Sequence, residues 1–300
     1  MILALRALGV GDLATGVPAL RGLRNAFPGE TLALAAPAWL TPLIDLIGGV
    51  DRVVPANGLL DGALPVPPPR LAVNLHGKGP ESHRLLQATQ PQQLWAFGIG
   101  PQWTDEEHEV HRWCRLLRHY GVDTDETDLA LAVPEVAGPA GVTIIHPGAK
   151  SPSRRWPPDR YAAVARELRS AGHRVVITGS AAERELTVRV AAEAGLDPAA
   201  ALITGLAELA ALVARARLLI SGDTGVAHLA TAYATPSVVL FGPMSPRRWG
   251  PPAGRAGHRA LWHGTDSEPG DSMEPGVHPA LLAIDPAEVL SAAADLPDMS

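Results

Sequence analysis

Short apolar stretches alternate along this chain with longer segments in which apolar residues recur at intervals of three and four positions. The short stretches are typical of buried strands, and the longer periodic segments are typical of amphipathic helices. The predicted strands cover residues 2–5, 31–35, 52–54, 71–75, 142–146, 175–178, 202–203, 218–221 and 238–241. The predicted helices cover residues 13–27, 42–47, 106–120, 161–171, 183–194, 206–214, 226–233 and 286–294. This alternation predicts parallel sheets with helices on both faces.

Two stretches interrupt the alternation. Residues 133–141 have the Pro- and Gly-rich composition of a linker, so the sequence predicts two doubly wound α/β domains, one over residues 1–138 and the other over residues 139–300. Residues 250–280 are dominated by Gly, Pro, His and acidic residues, which predicts a long loop without strands. Whether the final helix returns to the first domain is left open by the sequence.

Composition then narrows the class of protein. The 300 residues are 46% hydrophobic and 19% charged, as in globular domains, and the formal net charge of −6 lacks the basic footprint of a nucleic-acid-binding protein. Cys114 is the only cysteine, which excludes an intrachain disulfide and a cysteine-rich zinc site, and its helical neighbourhood indicates a core residue. The N-terminus matches a strand rather than a signal peptide, and no apolar run approaches about 18 residues. We therefore expect a cytoplasmic monomer without a transmembrane segment, with peripheral contact to a membrane left open.

Ligands of open parallel sheets bind beyond the carboxyl ends of the strands, so the polar residues after each strand are the candidates for chemistry. The first turn contains Gly9, Gly11 and Asp12. Asp12 is a candidate general base for an acceptor hydroxyl, and a helix N-cap is the alternative. Gly11 is a candidate contact for the donor substrate. The third glycine of a dinucleotide fingerprint is missing, which disfavours an oxidoreductase.

The turn after the strand at 142–146 gathers cations in a chain that is acidic overall. Lys150 and Arg154 are therefore candidate contacts for the phosphates of a donor, and an ordinary basic loop is the alternative. In the next turn, Ser180 is a candidate donor contact and Glu183 could hold the hydroxyls of a ribose. The alternative for Glu183 is an acidic residue that stabilises the first turn of a helix.

The turn after the strand at 218–221 is the most informative one, because a buried strand enters a polar, glycine-containing turn and then a helix. Amides of Thr224 and Gly225 would lie at the helix N-terminus, which favours an anion such as a diphosphate. His228 shares a helix face with Thr224, although a buried structural histidine is an equal alternative. Asp223 is expected to hold sugar hydroxyls or to cap the helix.

Two further turns carry weaker candidates. Gly242 and Pro243 follow the strand at 238–241 and are candidate donor contacts, with a structural proline loop as the alternative. His76 and Lys78 follow the strand at 71–75 and are candidate acceptor contacts, with a plain loop as the alternative.

No His-Glu-x-x-His pair occurs, and no Asp-x-Asp follows a strand, so no metal ion or other cofactor is expected. Cations and helix amides would then have to neutralise a departing diphosphate.

Taken together, these turns resemble glycosyltransferase family 9, the ADP-heptose:lipopolysaccharide heptosyltransferases. The resemblance rests on Gly11-Asp12 with Pro18-Ala19-Leu20, His146-Pro147-Gly148 with Arg154-Arg155-Trp156-Pro157, Thr178-Gly179-Ser180 with Glu183, Asp223-Thr224-Gly225 with His228, and Leu240-Phe241-Gly242-Pro243. It implies a GT-B fold, in which two Rossmann-like domains face each other across a cleft, and metal-independent transfer with inversion at the anomeric carbon.

The resemblance also implies roles for residues. Asp12 would be the base, Glu183 would bind the ribose, and the segment from Asp223 to His228 would hold the diphosphate and the sugar. The family commonly has a lysine where this chain has Arg154, which keeps the charge but changes the geometry. The expected partners are an ADP-linked or related nucleotide-diphosphate sugar and a glycan or glycolipid acceptor. A nucleotide-sugar 2-epimerase on the same fold, or a non-catalytic nucleotide-sugar binding protein, is the alternative.

Overall fold

The computed structural model describes residues 1–59, 62–266, 273 and 275–297. The chain divides into two compact units, Met1–Ala132 and Val133–Ser300. The division falls at the start of the Pro- and Gly-rich stretch 133–141, and six residues before the boundary at 138/139 that the sequence suggests. Each unit is organised around one parallel sheet.

The first unit is built on strands β1 (Ile2–Leu5), β2 (Leu32–Ala36), β3 (Arg52–Pro55), β4 (Leu71–Asn74) and β5 (Gln93–Trp95). Their order across the parallel sheet is β3-β2-β1-β4-β5. Every residue of β1, β2 and β4 is buried, as expected when helices cover both faces of a sheet. The order reverses between β1 and β4, which is the point where open α/β sheets bind ligands.

The helices of the first unit are α1 (Val10–Thr15), α2 (Val17–Ala26), α3 (Thr41–Ile47), α4 (Glu81–Gln87) and α5 (Glu109–His119). The single helix predicted over 13–27 is wrong, because the chain forms two helices that meet at Gly16. Pro18 has no N–H with which to continue the ladder of α1, so a new helix starts at Val17, with Pro18 in its first turn. Helix α5 packs against α2 and buries Cys114, which confirms that residue as part of the core.

The second unit contains β6 (Thr143–His146), β7 (Val175–Gly179), β8 (Ala201–Ile203), β9 (Leu218–Gly222), β10 (Ser237–Leu240) and β11 (His258–Leu261). The strands are parallel and are ordered β11-β10-β9-β6-β7-β8, so the order reverses between β6 and β9. The helices are α6 (Pro158–Ser170), α7 (Arg184–Glu193), α8 (Leu206–Ala214), α9 (Gly225–Ala232), α10 (Pro246–Trp249), α11 (Pro279–Ala283) and α12 (Pro286–Ala294).

Residues of β10 show that both faces of this sheet are covered. Val238 and Leu240 belong to a core that includes apolar residues of α6, α7 and α12. Val239 instead packs with Phe241 and with Ala227 of α9. Because successive side chains of a strand point to opposite faces, the two clusters lie on opposite sides of the sheet. The last helix, α12, contacts α6, β10 and β11, all of which belong to the second unit.

The prediction that residues 250–280 contain no strand is wrong, because β11 lies inside this stretch and pairs with β10. The strand is at the edge of the sheet, and its residues are half-buried or exposed. An edge strand of this kind does not need the continuous apolar run by which the buried strands were recognised. The part of the predicted loop at 267–272 and 274 lies outside the described residues.

The burial of His258 in β11 makes the stability of this edge dependent on pH. Nδ1 of His258 lies 2.8 Å from Oγ of Ser237. Burial, with a contribution from the charge of Arg255, lowers the pKa of His258 to about 4. The unfolded chain therefore binds this proton first as the pH falls, and stability is lost between about pH 6.5 and pH 4.

We expect His258→Gln to lose less stability than the wild type when the pH falls from 6.5 to 4. The measurement is the urea midpoint of unfolding at several pH values in this window. His119→Gln is the control, because His119 is an exposed histidine, and it should follow the wild type. A His258→Gln variant with the pH dependence of the wild type would contradict the assignment.

Candidate active site

The turn after β1 holds Asp12 at the third position of α1. Its Oδ2 accepts a hydrogen bond of 3.1 Å from the backbone N–H of Gly9, the residue that precedes the helix. The N-cap is therefore Gly9, and Asp12 supports the helix start from inside the first turn. A carboxylate can accept several hydrogen bonds, so this contact leaves Asp12, which is half-buried, able to accept a proton from a ligand hydroxyl.

The turn after β4 places His76 against the turn after β1. The backbone N–H of Ala7 donates to Nδ1 of His76 over 3.2 Å, so the ring proton of the neutral histidine lies on Nε2. Burial and the positive charge of Arg6 lower the pKa of His76, although the negative charge of Asp12 opposes them. Asn74 shapes the turn, because its side-chain amide donates to the carbonyl of Gly77 and accepts from the backbone N–H of His76. The structure thus brings His76 and the Asp12 turn together.

Two other predicted residues of the first unit lie at this edge of the sheet. Gly11 is the second residue of α1 and is half-buried beside Asp12. Lys78 is exposed and forms a loose ion pair, 3.7 Å long, with Asp105. Exposed pairs of this kind contribute little to stability, so the Lys78 ammonium can exchange this partner for a ligand at small cost.

A row of polar side chains crosses the central strands of the second unit near their carboxyl ends. His146 on β6 is in register with Ser221 on β9, and its Nδ1 lies 2.9 Å from Oγ1 of Thr178 on β7. Burial lowers the pKa of His146, which is therefore neutral at physiological pH. The hydroxyl of Ser221 is fully buried and has no hydrogen-bond partner among the residues that the structure describes. This row is a polar patch in an otherwise apolar sheet.

Glu183 joins the turns after β6 and β7. Its Oε2 accepts from the backbone N–H of Ser180 at 2.9 Å and from the Ser180 hydroxyl at 2.7 Å. Burial alone would raise the pKa of Glu183, but these hydrogen bonds and the charge of Arg155 outweigh it and lower the pKa. The carboxylate also lies against Gly148, where a Cβ atom would stand 2.0 Å from Oε1. Glu183 therefore stabilises the helical turn that follows β7 and also places a carboxylate in the site.

Asp223 and Arg154 form an ion pair where β9 ends. Nη1 of Arg154 lies 3.1 Å from Oδ2 of Asp223 and 3.3 Å from its carbonyl oxygen. The Asp223 side chain is 4% exposed, so its negative charge is held in the protein interior next to a cation. This neutralisation lowers the repulsion between Asp223 and an incoming phosphate.

Thr224 precedes α9, and Gly225 is the first residue of that helix. The Thr224 hydroxyl does not cap the helix, is buried, and has no hydrogen-bond partner within the described part of the chain. The first amides of a helix have no partner within it and carry partial positive charge. His228, one turn further along, packs its ring against Trp249 with the ring centroids 6.0 Å apart. The start of α9 thus combines helix amides, a buried hydroxyl and an imidazole.

The remaining candidates of the second unit differ in burial. Lys150 is exposed in the turn that carries Arg154. Gly242 and Pro243 are buried, and the carbonyl of Gly242 accepts from Nε1 of Trp262 at 3.1 Å. A Cβ atom on Gly242 would stand 3.2 Å from Cβ of Leu281, so this turn is packed against α11. These contacts support the structural interpretation of the Gly242-Pro243 turn.

Three buried polar residues of the two sites were not among the predicted site residues, namely Arg6, His146 and Ser221, although His146 belongs to a motif on which the resemblance rests. Each interrupts or ends an apolar run at the carboxyl end of a central strand, a signal that was present in the sequence. Within the described residues, no three His, Cys, Asp or Glu side chains are grouped so that they could hold a metal ion.

Comparison with known proteins decides the family. The model for glycosyltransferase family 9 (heptosyltransferase) matches residues 99–274, which is more than half of the chain. The chain belongs to glycosyltransferase family 9. It is accordingly a glycosyltransferase, which favours that interpretation over the epimerase and the binding protein. Lipopolysaccharide heptosyltransferase 2 of Escherichia coli K12 is 27% identical to this family 9 chain over 328 aligned residues, with 94% of each chain covered.

Solved structures show the same fold. The E. coli ADP-heptose lps heptosyltransferase II has a TM-score of 0.76 at 22% identity, with 98% of both chains covered. A family 9 glycosyltransferase from Veillonella parvula has a TM-score of 0.75 at 20% identity, with 98% of this chain and 96% of the other covered. The two parallel α/β units are therefore those of the GT-B fold class, which confirms the expected fold.

The contact between Gly148 and Glu183 can be tested by substitution. We expect Gly148→Ala to destabilise the protein by about 1–3 kcal/mol, because the added methyl group overlaps the Glu183 carboxylate. The measurement is urea unfolding. Gly138→Ala, at a glycine with nothing within 4 Å of an added Cβ, should change stability by less than about 0.5 kcal/mol.

The double variant Gly148→Ala/Glu183→Ala identifies the cause. Without the carboxylate, the added methyl group has space. The double variant should therefore lose less stability than the sum of the losses measured for Gly148→Ala and Glu183→Ala separately. Additive losses would show that Gly148 is constrained by something other than Glu183.

Proposed function

We propose that this family 9 chain is an inverting, metal-independent transferase that moves a heptose or related sugar from an ADP-linked donor to a hydroxyl of a glycan or glycolipid. The observation that carries the proposal is the half-buried Asp12 carboxylate, held where the strand order of the first unit reverses and next to the neutral imidazole of His76. A general base needs this combination of fixed position and available lone pairs.

The second unit supplies a site for the donor. Arg154, Lys150 and the amides of Thr224 and Gly225 would bind the diphosphate, since cations and helix N-termini both favour phosphate oxygens. Glu183 remains ionised, which suits it to accept hydrogen bonds from the two hydroxyls of a ribose. Asp223 and His228 would contact the sugar. Ser180, which is fixed by Glu183, would lie next to the ribose.

The reaction that follows is a single displacement. Asp12 takes the proton of the acceptor hydroxyl, and the acceptor oxygen forms a bond to C1 of the sugar. The bond between C1 and the phosphate oxygen breaks on the opposite side, and its electron pair leaves with the diphosphate. Attack opposite the leaving group inverts the anomeric carbon. His76 and Lys78 would orient the acceptor.

Metal independence is proposed because protein charges can stabilise the leaving group. A departing diphosphate gains negative charge, and preorganised N–H groups and cations stabilise such charge in place of a metal ion. Arg154 is already fixed by Asp223 and needs little reorganisation.

The identity of the substrates is proposed from the relatives. The structural neighbour from E. coli is an ADP-heptose lps heptosyltransferase, and the relative from E. coli K12 is a lipopolysaccharide heptosyltransferase. We propose the same donor and a lipopolysaccharide core acceptor for this chain, and action at the cytoplasmic face of the membrane that holds such an acceptor. Among the described residues, no helix is long and apolar enough to span a bilayer.

Asp12→Asn tests the base. We expect kcat to fall at least about 100-fold, because an amide cannot accept the proton, while the affinity for ADP changes little. The assay uses ADP-heptose with lipopolysaccharide from a heptosyltransferase-deficient strain, and isothermal titration with ADP. Asp123→Asn is the control, because Asp123 is exposed and also accepts a backbone hydrogen bond. Turnover near that of the wild type in Asp12→Asn would remove Asp12 as the base.

Arg154→Ala tests the donor site. We expect ADP to bind about 10- to 100-fold more weakly, because a phosphate contact is lost and Asp223 loses its ion pair with Arg154. Arg154→Lys should recover part of the affinity, since it keeps the charge without the planar geometry. Arg160→Ala is the control, because Arg160 binds the carbonyls of Leu282 and Ile284 in the same unit. Unchanged ADP affinity in Arg154→Ala would exclude Arg154 from the phosphate site.

A further inference from the structure

Arg6 is a charged residue in a place where a charge is costly. It directly follows β1, and its side chain is completely buried. Removing a guanidinium from water is unfavourable unless hydrogen bonds and opposite charges compensate. The partners that provide this compensation therefore indicate what the residue does.

The guanidinium of Arg6 joins the two turns where the strand order reverses. In the turn after β1, it donates to the carbonyl of Asp12 through Nε and to the Thr15 hydroxyl through Nη2 at 2.9 Å. Through Nη1 it donates to the carbonyl of Leu75, which immediately precedes His76. One rigid, planar group thus fixes the backbone of both turns that carry the proposed base and the proposed acceptor contact.

Helix α5 holds Arg6 from the other side. Oε2 of Glu109 lies 3.8 Å from Nη2 of Arg6, and Cζ of Arg6 lies 4.8 Å from the ring centre of Trp113. Glu109 is itself fixed, because Nε1 of Trp113 donates to Oε2 at 2.9 Å and Arg112 donates to Oε1. Glu109 and Asp12 thus both contribute to balancing the charge on Arg6, and Glu109 and Trp113 hold the guanidinium from a helix remote from β1 in the sequence.

The backbone around Asp12 is shaped to accept this side chain. A Cβ atom on Gly16 would stand 2.9 Å from both Cδ and Nε of Arg6. Only glycine allows the junction of α1 and α2 to approach the guanidinium so closely. Thr15, which receives Nη2 of Arg6, donates to the carbonyl of Asp12 at 3.0 Å. The carbonyl of Asp12 is thus bound twice, while its carboxylate is bound by Gly9.

We propose that Arg6 is a positioning residue for transfer: supported by Glu109, it holds the Asp12 and His76 turns in the geometry that the base requires. This inference rests on the proposed role of Asp12. Arg6 would act without contacting substrate, so its loss should lower kcat more than it weakens donor binding. A displacement of reacting groups by about 1 Å can lower a rate by about 100-fold.

Arg6→Lys is the first variant, because it keeps the positive charge but cannot reach three acceptors in one plane. We expect kcat to fall about 10- to 100-fold, while KM for ADP-heptose stays within about threefold of the wild type. The assay uses ADP-heptose and lipopolysaccharide from a heptosyltransferase-deficient strain, with circular dichroism and the thermal midpoint as checks of folding.

Arg21→Lys is the matched control. Arg21 also joins separate segments of the first unit, because it donates to the carbonyls of Ile47 and Ala130 and pairs with Asp128. It should lose stability without losing kcat. Equal losses of kcat in the two variants, or kcat within about threefold of the wild type in folded Arg6→Lys, would overturn the inference.

If Arg6→Lys does not fold, two milder variants decide the question. Thr15→Val removes one acceptor of Arg6, and Glu109→Gln removes one of its counter-charges and leaves that of Asp12, with little change of shape. Each should lower kcat severalfold at nearly constant KM for ADP-heptose, and kcat within twofold of the wild type in both would overturn the inference.

Asp12→Asn, measured in parallel, separates the two proposals. Low turnover in Asp12→Asn with normal turnover in Arg6→Lys would reject only the role of Arg6. Normal turnover in Asp12→Asn would reject the base itself, and the role of Arg6 in placing it.

Discussion

The reversal of strand order in each parallel sheet is the constraint on which the candidate sites depend. Neighbouring strands on the two sides of the reversal send their crossover connections in opposite directions, so the turns at their carboxyl ends diverge and leave room for a ligand. In the first unit this point lies between β1 and β4, which deliver Asp12 and His76. In the second unit it lies between β6 and β9, which deliver Arg154 and Asp223. The sheet order thus selects which turns can carry chemistry.

Both sites contain buried charged groups at the end of a central strand. A polar turn at the end of a buried strand must hold charges where water is scarce, and an unpaired charge there would be strongly unfavourable. In the first unit, Arg6 is balanced by Asp12, by Glu109 of α5 and by backbone carbonyls. In the second unit, Asp223 is balanced by Arg154 from a different turn. In each case one charged partner comes from a distant part of the sequence, so that contact also fixes the position of one element against another.

These distant partners explain how much of the protein could be predicted from its sequence. Strand β1 and helices α8 and α12 have the predicted bounds, because an apolar run or a helical period is a local property. The position of Asp12 in the turn after the first strand could be predicted for the same reason. Its hydrogen bond from the backbone N–H of Gly9 could not, because that contact depends on the exact residue at which the helix starts. The pairing of Arg6 with Glu109 has no local signal, since it requires knowing that α5 packs beside the first strand.

Two glycines are required because a side chain of a candidate site packs directly against the main chain at their positions. Gly16 permits the approach of Arg6, and Gly148 permits that of Glu183. Neither has the positive φ angle by which glycine is usually recognised as necessary, so the requirement comes from the neighbour and not from the backbone conformation. Sequence reasoning looks for such glycines in turns and phosphate loops. Gly148 lies in such a turn and Gly16 lies at the junction of two helices, and each is required because a charged side chain packs directly against it.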